Sequence, residues 1–143
     1  MVNLWFGGQF DRFYGALRIV GGLLFACHGA QKLFGVLGGD GVTLVSRVGF
    51  AGVVELFGGG LVAFGIFTPY VAFIMSGQMA FAYFLSHAPR GFWPIMNGGE
   101  LAVLYCFLFL YIAAKGAGPF SLDYVIWGAK DQVSGPASTR KIS

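Results

Sequence analysis

Glu55 stands inside an otherwise apolar run, Val48 to Phe67, that is long enough to cross a bilayer. A carboxylate in such surroundings is costly, so it marks a partner or a function. Partners are available in the neighbouring apolar runs: His28, Gln31 and Lys32 near the end of one, His87 closing a second, and Asn97 and Glu100 at the start of a third. His28 and Lys32 are four residues apart and share a helix face. A lysine neutralises a carboxylate, while histidine and glutamate pick up and release protons and hydrogen-bond a carbonyl. The expected catalytic set is Glu55, Glu100, His28 and Lys32, with Gln31, His87 and Asn97 as cofactor-contacting candidates. The same residues also read as a satisfied polar network that fixes helix register, because polar side chains glue membrane helices. His28, Glu55, His87 and Glu100 are suitable metal ligands, but they follow no ligand-spacing motif, so no metal centre is expected.

The elements that must position these groups follow from composition. The chain has 143 residues, 57% hydrophobic and only 10% charged, with a mean hydropathy of +0.74. A soluble domain carries about 25% charged residues, so a bilayer is the natural solvent here. The 24 Gly suit helices whose backbones approach closely in lipid. About 20 apolar residues span the hydrocarbon. On that scale the sequence predicts an all-α, polytopic membrane protein, a four-helix transmembrane bundle with helices at about 13–34, 48–67, 70–86 and 95–114. These belong to one domain over 1–128, and the polar segment 129–143 reads as a disordered tail. The segments are too long and too uniformly apolar for barrel strands. Thr68-Pro69 is the only link between the second and third helices, which therefore form a tight antiparallel hairpin. Pro119 to Trp127 suits a short element at the interface.

Four spans put both termini on one side, the side that carries Arg12, Lys115, Lys130, Arg140 and Lys141, against Arg47 and Arg90 opposite. The positive-inside rule makes both termini cytoplasmic, with Trp5 and Trp127 at the inner interface and Trp93 at the outer one. Arg18, alone on the inner side, reads as a snorkelling or Asp-paired anchor. Met1 to Arg12 has no apolar core ahead of a cleavage site, so no removed leader is expected. The net charge of +3 forms no basic stripe, so no nucleic-acid partner is expected. Cys27 and Cys106 lie in different segments, with no second cysteine close to either, and read as inert thiols.

The segments H-G-A-Q-K-L-F-G (His28 to Gly35), E-L-F-G-G-G (Glu55 to Gly60), G-I-F-T-P (Gly65 to Pro69), N-G-G-E-L-A-V-L-Y (Asn97 to Tyr105) and G-P-F-S-L-D (Gly118 to Asp123) resemble the bacterial DoxX family. The likeness covers about residues 13–124, and its order and spacing are more specific than any one piece. The resemblance implies a multi-pass inner-membrane protein of four helices tied to redox chemistry. The family takes its name from a relative of the quinone-reducing thiosulfate oxidoreductase membrane subunit. Some members are linked to oxidative-stress and thiol-homeostasis complexes. The fold is also similar to that of membrane thiol–disulfide proteins, but the paired cysteines those need are missing here.

Function is therefore expected along one of three lines. One is a subunit of a quinone- or thiol-related oxidoreductase in which the His/Lys/Glu cluster serves the ring and its protons. No haem, iron–sulfur or flavin motif is present, so the expected cofactor is a non-covalent quinone, and the electron donor is a partner or a soluble reductant. Another is a non-catalytic scaffold for a redox or oxidative-stress complex. The third is a small-solute or proton carrier, which four spans without an internal repeat suit less well. The expected partners are the lipid bilayer, redox-enzyme proteins and a second copy of the chain.

Overall fold

The computed structural model describes residues 7–127; Trp5 and the 129–143 tail lie outside them. All regular structure among the described residues is helical. The elements are α1 (Phe10–Phe34), α2 (Arg47–Phe64), α3 (Thr68–Ala82), the single turn α4 (Pro94–Asn97), α5 (Glu100–Lys115) and α6 (Leu122–Trp127). A π turn, Tyr83–His87, and a short 3-10 turn extend α3, giving a helical run of 23 residues from Thr68 to Arg90. That run, α1 with 25 residues and α2 with 18 are long and apolar enough to cross a membrane. At about 1.5 Å per residue even α2 reaches roughly 27 Å.

The segment expected as one span over 95–114 is broken. Gly98 takes a left-handed φ of 70°, and Asn97 Oδ1 accepts the Gly99 N–H at 2.8 Å. Together they end α4 and restart the helix at Glu100, leaving α5 with 16 residues. Its length of roughly 24 Å falls short of the ~30 Å hydrocarbon thickness. The second helix also stops earlier than expected. Gly65, at φ 75°, caps α2 by donating to the Leu61 and Val62 carbonyls, and Phe67 turns the chain at φ 48°. Thr68 and Pro69 are thus the first turn of α3, where proline's missing N–H costs nothing.

α1 and α2 run antiparallel with their backbones in contact. A Cβ on Gly22 would stand 2.6 Å from the Gly59 carbonyl oxygen and 2.7 Å from the Ala63 nitrogen; one on Gly59 would stand 2.6 Å from the Ala26 nitrogen. Gly58, one position earlier, admits the Met75 side chain of α3 instead. α3 packs along α5, and Phe25 of α1 closes the ring of helices by meeting Phe109 at 4.8 Å and Tyr105 at 5.1 Å between centroids. Val62, Ala72, Met75 and Ile112 fill the same core. Large apolar side chains cover the outside, among them Leu24, Phe57, Phe73, Phe81 and Phe107. An apolar exterior of this extent is covered by lipid, not water.

Arg18 departs from both expectations for it. It is wholly buried and its guanidinium donates to the Val62 and Ala63 carbonyls and to Phe120 O. It therefore caps the C-terminus of α2, where carbonyls lack helical partners and the dipole favours a cation. Asp123 works at the adjoining helix start: its carboxylate accepts the Phe67 and Thr68 N–H groups at 2.9 and 3.0 Å. The G-I-F-T-P and G-P-F-S-L-D segments are in this way tied to each other at one end of the molecule.

Candidate functional site

Lys32 sits in the last turn of α1, where the helix dipole favours its charge. The following loop folds back so that Val42 N–H donates to the Lys32 carbonyl at 2.7 Å. Ser46 then caps α2, its Oγ accepting Gly49 N–H at 3.0 Å. Two turns further, Glu55 faces inward and is 1% exposed. The gap that lets lysine reach it is Gly52, where a Cβ would lie 3.1 Å from Lys32 Cβ. The lysine stem crosses this glycine, and Nζ donates to both Glu55 oxygens, at 2.5 and 2.7 Å. Side-chain exposure is 33% for Lys32 against 1% for Glu55. The carboxylate is thus sealed, and the ammonium is its link to the outside.

Gln78 of α3 completes the group. Its Nε2 donates to Glu55 Oε1 at 3.1 Å and to the Ala51 carbonyl at 3.2 Å. Both acceptors fix the amide's orientation, because a flipped amide would turn its oxygen toward two oxygens. Gln78 Oε1 is buried and has no hydrogen-bond partner among the described residues. An orphaned acceptor of this kind costs about 1–3 kcal/mol and is rare without a reason. Three helices thus converge on one carboxylate.

This group forms the polar floor of a cleft of about 850 Å³ between α2 and α3. Phe50, Val54, Ile74, Phe81 and Leu85 wall it, and Phe50, Ile74, Phe81 and Leu85 are well exposed at its mouth. Ligand sites of about 300–1,000 Å³, mostly apolar with a few convergent polar groups, are the usual pattern. Ser46, Arg47 and Ser86 line its loop end, and the apolar walls face the lipid-covered exterior.

The structure gathers Lys32 and Glu55 as expected and leaves the other candidates apart. Glu100 is exposed, and among the described residues its side chain makes no ion pair or hydrogen bond. The break at Gly98–Gly99 places it in the first turn of α5, where the dipole stabilises a carboxylate without a lysine. His28 shares a face with Lys32 but turns to α5, edge-on to Tyr105 at 6.3 Å. Gln31 donates to Leu37 O at 3.1 Å and shapes the loop. His87 and Asn97 belong to a separate lock that ties the π turn after α3 and the turn α4 to the segment between them. There Asn97 Nδ2 donates to Gly91 O at 2.6 Å, and Tyr83 donates its hydroxyl to Phe92 O. His87 Nδ1 accepts from Arg90 Nη2 at 3.1 Å, since an arginine can only donate. Among the described residues no three of His, Cys, Asp and Glu come together as a metal site. The member outside the expected set is Gln78; its signal was an amide inside the apolar run of the third helix.

Comparison with known proteins adds family relationships to this geometry. Residues 14–88 match the family model described as DoxX. The chain is also 45% identical over 118 residues to an uncharacterized protein of Haemophilus influenzae (strain ATCC 51907 / DSM 11121 / KW20 / Rd), an alignment covering 78% of this chain and 88% of that one. No solved structure matches.

Proposed function

The chain belongs to the DoxX family, and from that premise we propose that it is the membrane subunit of a quinone-linked oxidoreductase whose Lys32–Glu55–Gln78 cleft receives the quinone ring. The observation that carries this reading is the sealed Glu55, bridged by Lys32 and Gln78 at the floor of a lipid-facing cleft of about 850 Å³. The bundle is completed as a four-span inner-membrane protein by α5, whose short helix is extended by α4 and the turn before it. Both termini face the cytoplasm, in keeping with Arg12 and Lys115 at that end and Arg47 and Arg90 at the other.

The residues present fit such a group. Lys32 Nζ spends two N–H donors on Glu55, and its remaining donor and partial exposure suit a ring carbonyl. The orphaned Gln78 Oε1 suits a ring hydroxyl once the amide shifts toward the cleft. When bound, a quinone supplies a carrier of electrons and protons; the electrons come from a partner redox protein or a soluble reductant. Within the chain, Glu55 holds or releases a proton at its carboxylate oxygens and Lys32 compensates the charge that results. Phe50, Phe81 and Leu85 exclude water from the exchange.

Glu55→Gln tests this. Gln keeps size and hydrogen bonding but cannot ionise. Quinone-dependent turnover in proteoliposomes is expected to fall by about 10²-fold or more, the scale of a lost general acid–base, while copurifying partners are retained. Unchanged turnover with the complex intact would instead favour a scaffold.

A further inference from the structure

Ile74 borders two grooves. On one side of α3 it walls the cleft over Glu55; on the other it ends an apolar groove of about 500 Å³ between α3 and α5. That second groove is lined by Pro69, Tyr70, Phe73, Leu110, Ala113 and Ala114, and among the described residues no charged side chain enters it. Tyr70, Ile74, Phe81 and Leu85 recur at helical spacing and are all well exposed. One ridge of α3 therefore runs from the polar floor at Gln78 down to Pro69. At about 1.5 Å per residue that path is roughly 13 Å.

We propose that this second groove seats the hydrocarbon tail of the molecule whose polar ring occupies the cleft. The inference rests on the reading of the cleft as a quinone-ring site, and it names the substrate class: a ring bearing a long, flexible apolar chain rather than a small tail-free quinone. The ring end needs Lys32, Glu55 and Gln78, which stand only in the first cleft. The tail end needs an apolar trough reached without crossing a polar surface. Ile74 is the threshold between them, since it lines both. In lipid a tail gains little from hydrophobic transfer, because the bilayer is already apolar, so tail recognition depends on packing against a shaped trough.

The test compares duroquinone, which has no tail, with decylubiquinone, in binding to the purified full chain in lipid nanodiscs. Ala114→Phe fills the trough from an exposed helix position that tolerates bulk, and Ala113→Phe fills it from the adjoining position. Decylubiquinone affinity is expected to fall by about tenfold in each variant, equivalent to ~1.4 kcal/mol. Duroquinone affinity is expected to stay within twofold. The comparison within one ligand cancels differences in partitioning and ring substitution. Equal decylubiquinone binding by wild type and both variants would overturn the tail seat and leave the ring site standing. Equal losses for both ligands would overturn it too, as damage to the fold, which circular dichroism and thermal unfolding of the variants would register. Failure of wild type to bind either ligand would overturn the ring site itself, and the tail seat with it.

Discussion

Lys32→Met is expected to destabilise the protein by about 2–3 kcal/mol, and the double variant Lys32→Met with Glu55→Leu to lie within about 1 kcal/mol of wild type. The asymmetry follows from who is buried. Glu55 is sealed and takes two of its three hydrogen bonds from the lysine. Removing the lysine alone strands a carboxylate in an apolar interior with only Gln78 to donate to it. Removing both charges leaves a cleft floor that apolar side chains can fill. The single-variant figure lies below the ~3–5 kcal/mol of a wholly buried pair, because Lys32 is itself one-third exposed. Unfolding in a detergent series reads both variants. A double variant as unstable as Lys32→Met would mean that the pair stabilises by its attraction and not merely by cancelling a burial cost.

Two adjacent glycines are expected to respond oppositely to the same methyl group. Gly59→Ala places a Cβ 2.6 Å from the Ala26 nitrogen on the facing helix, and nothing there can rotate away, since the neighbour is backbone. The helices must separate, at a cost of about 2–3 kcal/mol, the upper part of the overpacking range. Gly60→Ala meets nothing within 4 Å and is expected to be neutral or stabilising by up to ~1 kcal/mol through helix propensity. The same detergent series orders the two. Equal effects would contradict backbone contact between α1 and α2.

How far the sequence reached differs from element to element. α1 and α2 were legible as elements because their apolar runs are long enough to span, though the end of α2 was not, since Gly65 stops it before residue 67. That a carboxylate in these apolar spans would meet Lys32 or His28 was legible, since a buried carboxylate demands a partner; which of Glu55 and Glu100 meets which was not. The glycines were readable as positions where helix backbones approach closely. Their neighbours on either side were not, because which helix fills a gap is decided by tertiary packing. The place of Glu100 was not legible, because the run 95–114 reads as one uninterrupted helix. A local hydrogen bond from Gly99 to Asn97 breaks that helix, and a helix start accommodates a carboxylate without an ion pair. His28 shows the limit of face arguments: four residues from Lys32 it shares the face, yet the lysine stem bends over Gly52 while the imidazole turns to Tyr105. Arg18 was unreadable as a helix cap, because its partners are carbonyls distant in sequence.

Photolabelling with an azido-substituted benzoquinone in nanodiscs, followed by peptide mapping, tests the ring site most directly. Label is expected on the cleft wall, within Phe50–Glu55 and Gln78–Leu85, and displaced by excess decylubiquinone. Label spread over outward-facing positions of α1 and α5 such as Leu24 and Phe107, or label in the cleft that no competitor displaces, would contradict a quinone site at Lys32, Glu55 and Gln78.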